Sequence, residues 1–215
     1  MNVLIVDDHE VVRRGLKQIL MDAFPDAIFA EAANSQEALD LVGKQRWDIL
    51  LLDINIPGRN GLEVLEEVHK HQPKTPVLVL SAFPEQDFAL RALKLGAAGY
   101  LTKQSASDEL HAAVRKALDG GKYVTASLAE KLAARLGQDL HQAPPHEALS
   151  NRELQILRMI SSGKTIKEIA SDLSLSEKTI ATYRARIAEK LNLTTNVEFT
   201  RYALKHHLVE LQTDM

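Results

Sequence analysis

Five short aliphatic runs, at 3–6, 27–30, 49–52, 77–80 and 99–101, constrain this chain more than any other feature. Each is too short for a helix and apolar enough to suit a strand buried on both faces of a parallel sheet. Between them the apolar residues fall at helical spacing: Val12, Leu16, Ile19 and Leu20; Ala38, Leu39 and Val42; Leu62, Leu65 and Val68; Phe88, Ala92 and Leu95; Leu110, Ala113, Val114 and Ala117. Strand and helix alternating five times predict an α/β fold over residues 1–120, a doubly wound five-stranded parallel sheet with right-handed crossovers. Such sheets carry their sites beyond the carboxyl ends of the strands.

The residues at those ends therefore decide the chemistry. The first run ends in Asp7-Asp8, the third in Asp53 and the fourth in Ser81, and the fifth is followed by Lys103. Three carboxylates drawn together repel one another unless a cation sits among them. An oxygen-only set with room for water and phosphate suits Mg²⁺. Asp53 is then a candidate nucleophile, since a carboxylate can form an aspartyl-phosphate. Lys103 would place a compact positive charge on a phosphoryl oxygen. Ser81 would offer a hydroxyl to another, with the small Ala82 leaving the approach open. Singly these residues are ordinary: an Asp pair often caps a helix, and a lysine is usually a surface residue. The spacing and order of the whole set carry the reading.

The 215 residues contain no cysteine, which excludes disulfide staples, thiolate nucleophiles and Cys-ligated metals. No apolar run approaches the roughly 18–20 residues that span a bilayer, and the N-terminus lacks a basic leader before its carboxylates. A cytoplasmic protein without membrane contact is expected. Net charge is −3 overall, but −5 over residues 1–120, 0 over 121–149 and +2 over 150–215, so the two ends suit different partners. Gly120-Gly121, Gly137 and Pro144-Pro145 mark 121–148 as a linker. A short amphipathic helix is expected within it at about 127–136, with Leu128, Leu132 and Leu136 on one stripe.

Residues 2–120 resemble the receiver domain of two-component response regulators. The matching residues are Asp7-Asp8; Asp53 followed by Asn55, Pro57 and Gly61; Ser81-Ala82; and the run Gly99-Tyr100-Leu101-Thr102-Lys103. The resemblance implies the flavodoxin-like strand order 2-1-3-4-5. It also implies that Asp53 accepts phosphate from a sensor histidine kinase. Mg²⁺ is then held directly by Asp8 and Asp53, through the backbone carbonyl of Asn55, and mostly through water by Asp7. Ser81 and Tyr100 become the switch pair, the hydroxyl moving to the phosphate while the ring turns inward.

The last 65 residues read as helices. Ser150 and Glu153 form a capping box ahead of Leu154, Leu157 and Ile160, and Gly163 follows. Ile166, Ile169, Ala170 and Leu173 make a second buried stripe. Ser176 can cap a third helix reaching Leu191, with Ile180, Ile187 and Leu191 inward. Two short helices joined by a tight turn, the second basic, predict an all-α helix-turn-helix domain over 149–215. The face opposite Ile180 holds Lys178, Thr182, Ala185 and Glu189, flanked by Ala181 and Arg186. Lys164, Lys167, Lys178, Arg184, Arg186 and Lys190 are candidates for phosphate contacts.

Residues 149–211 resemble the LuxR-type DNA-binding domain through Leu149-Ser150, Arg152-Glu153, Gly163-Lys164-Thr165, Lys167-Glu168-Ile169-Ala170, Lys178-Thr179-Ile180, Ile187 and Lys190-Leu191. Ala181 and Tyr183 depart from the Lys and His common at those places. Together the two resemblances point to the NarL/FixJ class of response regulators. They imply promoter DNA as partner, homodimers after phosphorylation, a dimer contact on a last helix at about 196–207, and possible contact with RNA polymerase. An aspartyl phosphatase would carry a second acid where Asn55 stands. A flavin carrier would need a phosphate loop where Asp7-Asp8-His9-Glu10 stands. The nearest rival is a phosphorylation-independent DNA-binding regulator with a vestigial acidic site. His69, His71, His206 and His207 lack the spacing of a metal site.

Overall fold

A computed structural model of the protein describes residues 1–82, 85–136, 144–206 and 208–209, leaving aside the side chains of 86, 87, 131 and 134–136. The chain divides into two compact units, Met1–Gln138 and Asp139–Met215. No helix among the described residues is long and apolar enough to cross a membrane.

The first unit follows the alternation set by the aliphatic runs. Its strands are β1 (Asn2–Val6), β2 (Ile28–Ala32), β3 (Ile49–Asp53), β4 (Val77–Ser81) and β5 (Gly99–Thr102). They pair in parallel in the order β2-β1-β3-β4-β5. The helices between and after them are α1 (Glu10–Ala23), α2 (Ser35–Lys44), α3 (Gly61–His71), α4 (Glu85–Lys94) and α5 (Ala106–Leu118). The register sets Val6 beside Leu52, Asp53 beside Leu80 and Ser81 beside Thr102, which aligns the functional ends of the strands. Leu50, Leu51 and Leu52 are fully buried; each such side chain contributes about 1.5–3 kcal/mol of transfer free energy.

The expectation of burial on both faces holds for β1, β3 and β4 but is corrected for β2. That strand lies at the edge of the sheet, and Ile28 is 66% exposed. Gly61 opens α3 against the back of β3. A Cβ there would meet the Asp53 carbonyl oxygen at 2.2 Å and Ile54 Cα at 2.7 Å. Only glycine allows this approach, which sets the helix directly behind the Asp53 backbone.

The first unit extends past residue 120. Tyr123 donates its N–H to the Ala98 carbonyl (2.7 Å) and bridges Gly99 at the edge of β5. Lys122 Nζ donates to the carbonyls of Gly96 (2.9 Å) and Ala97 (2.6 Å), beyond the end of α4. The predicted linker helix forms as α6 (Ala126–Leu136) and belongs to this unit, packing on α4. Leu128 is buried and Leu132 partly so; the breaker at Gly137 and the Leu136 side chain lie outside the described residues.

The second unit begins with a 3-10 turn at Pro145–Ala148, followed by α7 (Asn151–Ser161), α8 (Ile166–Asp172), α9 (Glu177–Leu191) and α10 (Asn196–Lys205). The predicted capping box of Ser150 and Glu153 is present, and Ser176 caps α9. Two further boxes, Thr165 with Glu168 and Thr195 with Glu198, open α8 and α10. Ile169, Ile180, Ile187, Phe199 and Ala203 are buried together with Leu154 and Leu157 of α7. The last helix, expected to 207, ends at Lys205, and His207 lies outside the described residues.

Candidate functional site

Asp7 and Asp8 follow β1, Asp53 ends β3 and Lys103 follows β5, so the parallel sheet brings them to one edge. Lys103 Nζ lies 2.6 Å from Asp7 Oδ2 and 2.7 Å from Asp53 Oδ2. Asp53 Oδ1 accepts the Asn55 backbone N–H at 3.1 Å. Ligand atoms of Asp7, Asp8, His9 and Asp53 all lie within 4.8 Å of one another. Asp7 and Asp53 are almost wholly buried, while a quarter of the Asp8 side chain meets solvent.

Burial raises the Asp53 carboxyl above the usual carboxylate range; Lys103 pulls it back, and neighbouring Asp7 pushes it up again. Burial lowers the Lys103 ammonium, but its two carboxylate partners outweigh that and leave it raised. Lys103 thus meets two of the three carboxylates, and His9 the third. Asp7 Oδ2 and Asp8 Oδ1 are buried without a hydrogen-bond partner, meeting only the charge contacts to Lys103 and His9. Clustered carboxylate oxygens are the ligand set that a hard divalent cation takes, and the acidic cluster is compatible with Mg²⁺.

Ser81 is fully buried at the end of β4, hydrogen-bonded to the Tyr100 hydroxyl. Tyr100 is 1% exposed, and burial raises its hydroxyl far enough to keep it protonated at neutral pH. Two further residues belong to this pocket. His9 Nδ1 sits 2.7 Å from Asp8 Oδ1. Arg13 donates to the Asp7 carbonyl at 2.8 Å while its Nε pairs with Glu31 at 3.0 Å, fixing the turn after β1. The signal for Arg13 was its place one turn into α1; nothing in the sequence gives its direction.

The candidate DNA-contact residues separate into two groups. Lys178, Ala181, Thr182, Ala185, Arg186 and Glu189 are exposed on the face of α9 opposite the buried Ile180 and Ile187. Arg186 lies over the Tyr183 ring at 5.9 Å. Arg184 instead turns to α10: it donates to Asn196 Oδ1 (3.0 Å) and the Thr194 carbonyl (3.2 Å) and covers the Phe199 ring at 5.3 Å. Lys190 pairs with the buried Glu153 at 2.7 Å, and Lys164 with Asp172 at 2.6 Å.

Comparison with known proteins agrees with this division. Residues 3–115 match the family described as response regulator receiver domain, and residues 147–203 match the bacterial regulatory proteins of the luxR family. The chain is 36% identical over 208 residues to the response regulator GacA of Pseudomonas aeruginosa, covering 97% of each. It is 34% identical over 212 residues to the response regulator UvrY of Escherichia coli, covering 99% of this chain and 97% of that one. Among solved structures it is similar to RcsB of Salmonella enterica serovar Typhimurium bound to promoter rprA in the presence of the phosphomimetic BeF3⁻. That likeness has a TM-score of 0.62 at 26% identity over 94% of this chain and 97% of that one. Receiver and luxR-family matches in one chain, with relatives of that kind along almost its whole length, place the protein among the response regulators of the NarL/FixJ class, DNA-binding regulators rather than conventional enzymes.

Proposed function

We propose that this chain is a phosphorylation-controlled transcription regulator in which Asp53 takes a phosphoryl group from the phosphohistidine of a sensor kinase. Lys103 bridging the buried Asp7 and Asp53, with Asp8 gathered beside them, carries the reading. In the transfer a new O–P bond forms at the Asp53 carboxylate as the kinase's N–P bond breaks, and the imidazole leaves with its electron pair. Asp8, Asp53 and the Asn55 carbonyl would hold Mg²⁺, with Asp7 reaching it through water; when bound, the ion neutralises charge on the phosphoryl oxygens. Lys103 supplies the second positive charge, drawn from its contact with Asp53 to the new anion. Ser81, at present bonded to Tyr100, offers its hydroxyl to another phosphoryl oxygen.

The aspartyl-phosphate adds roughly two negative charges and biases a two-state receiver toward its active form. Homodimers then place two copies of α9 on promoter half-sites about one helical turn apart, in the cytoplasm, where RNA polymerase is the further partner. The second reading is a regulator that binds DNA without phosphate, its acidic site vestigial. Treating the purified chain with acetyl phosphate and Mg²⁺ separates the two. Wild type should form a phosphorylated band on a phosphate-affinity gel and bind promoter DNA more tightly, and Asp53→Asn should do neither. Equal labelling of the two proteins refutes the assignment of Asp53. DNA binding indifferent to labelling favours the second reading.

A further inference from the structure

We infer that α9 selects its DNA site largely through thymine methyl groups, an inference that rests on the DNA-binding reading above. The argument starts from what this helix has left to offer. Its inward side is closed by Ile180, Ile187 and Leu191, so a groove can be met only by the opposite face. A recognition helix reads bases mainly with its N-terminal turns, which on this face expose Lys178, Ala181, Thr182 and Ala185, with the exposed Glu177 to one side at the start of the helix.

Three of those four end in methyl groups. Thr182 has a hydroxyl, but its proton is committed to the helix itself: Oγ1 donates to the Lys178 carbonyl at 3.0 Å. The basic residues that could have read bases from nearby positions are engaged elsewhere. Arg184 is held by the Thr194 carbonyl before α10 and by Asn196 and Phe199 on it, and Lys190 by Glu153 on α7. Hydrogen-bonding side chains on this face therefore stand at its margins, with Lys178 at one end, Glu189 at the other and Arg186 on the flank. The centre, Ala181, Thr182 and Ala185, offers methyl groups and one threonine oxygen that can accept but not donate.

In the major groove the thymine C5 methyl is the one apolar group that a base pair presents, and Ala or Thr methyls are its usual partners. A guanine edge, which presents only acceptors, loses its water against these residues and gains no partner. Ala181 and Ala185 are one turn apart, about 6 Å along the helix, the length of nearly two base steps of about 3.4 Å. The geometry thus assigns adjacent A·T pairs, thymine methyls facing the helix, to the centre of each half-site, with Lys178 free to take an acceptor on a neighbouring pair.

The full-length chain, treated with acetyl phosphate, is used to recover duplexes from a random pool. The preferred duplex is then resynthesised with uracil for thymine, which keeps pairing and removes only the methyl. Affinity should fall about fourfold for each thymine under α9, the ratio that corresponds to about 0.8 kcal/mol for one buried methyl-sized group. Uracil outside the half-sites should change nothing. Thr182→Ser keeps the hydroxyl bond and drops the methyl; it should erase the penalty at one thymine while leaving the salt dependence of binding intact. Specific binding that ignores uracil, or half-sites without a shared thymine, overturns the inference and leaves the DNA-binding reading standing. Retention of no duplex at all overturns both.

Discussion

At the scale of single residues, the acidic pocket stores an electrostatic cost. Asp53 is buried beside Asp7, and its carboxyl is raised despite Lys103. A carboxyl raised in the folded state means that ionising it opposes folding, so this contribution falls away as pH rises from the ordinary carboxylate value through the raised one. Asp53→Asn should therefore be more stable than wild type at pH 7. The difference should vanish below pH 3.8, where the unfolded-state carboxyl is also neutral; urea titrations at both pH values check it. Mg²⁺ at ten times its Kd should add about 1.4 kcal/mol, and Asp8→Asn should lose that gain in a thermal melt. Asp7, Asp8, Asp53, Ser81 and Lys103 were legible because strand ends announce themselves in sequence. His9 and Arg13 were not, because their part depends on where a side chain points after the turn.

Among the elements, the stretch read as linker has two characters. Its first residues are stitched to the first unit: Lys122 on the Gly96 and Ala97 carbonyls, Tyr123 along β5 with its hydroxyl 3.1 Å from Glu109, and Thr125 Oγ1 within 2.6 and 2.7 Å of both Glu85 oxygens on α4. Thr125 also accepts the Leu128 N–H as α6 begins. Thr125→Val removes the cap and the Glu85 bond together and should cost about 1 kcal/mol, with faster amide exchange along α6 and little change in β1 or β3. Unchanged exchange would mean that Leu128 packing alone holds the helix. The glycines and the proline pair marked the stretch as a linker. They carry no information on Tyr123 meeting Gly99, a contact 24 positions distant in sequence. In α10, bonds from Thr194 and Thr195 depress the Glu198 carboxyl to about 2. The cap is complete above about pH 4.5 and is lost as pH falls toward 2, so the Thr194 and Thr195 amide shifts should titrate near that value.

For the molecule as a whole, residues 1–120 carry a net −5 and residues 150–215 a net +2, and affinity for DNA should depend on salt through the cations that remain free. Arg186→Ala should weaken binding to all sequences alike and lower the slope of log K against log salt by about 1. Arg184→Ala should instead lower the melting temperature of the second unit, since its guanidinium joins α9 to α10. Binding isotherms at four salt concentrations beside thermal melts of both variants distinguish the roles. The sequence alone determined the parallel sheet, its acidic rim and the helix-turn-helix. Burial and chain reversal are written in local periodicity, and parallel strands necessarily gather their carboxyl ends. Only the tertiary structure decided which charges are spent: Lys103, Arg184, Arg186 and Lys190 look alike as letters, and what sets each to work is the carboxylate, carbonyl or ring that the fold brings within a few ångströms.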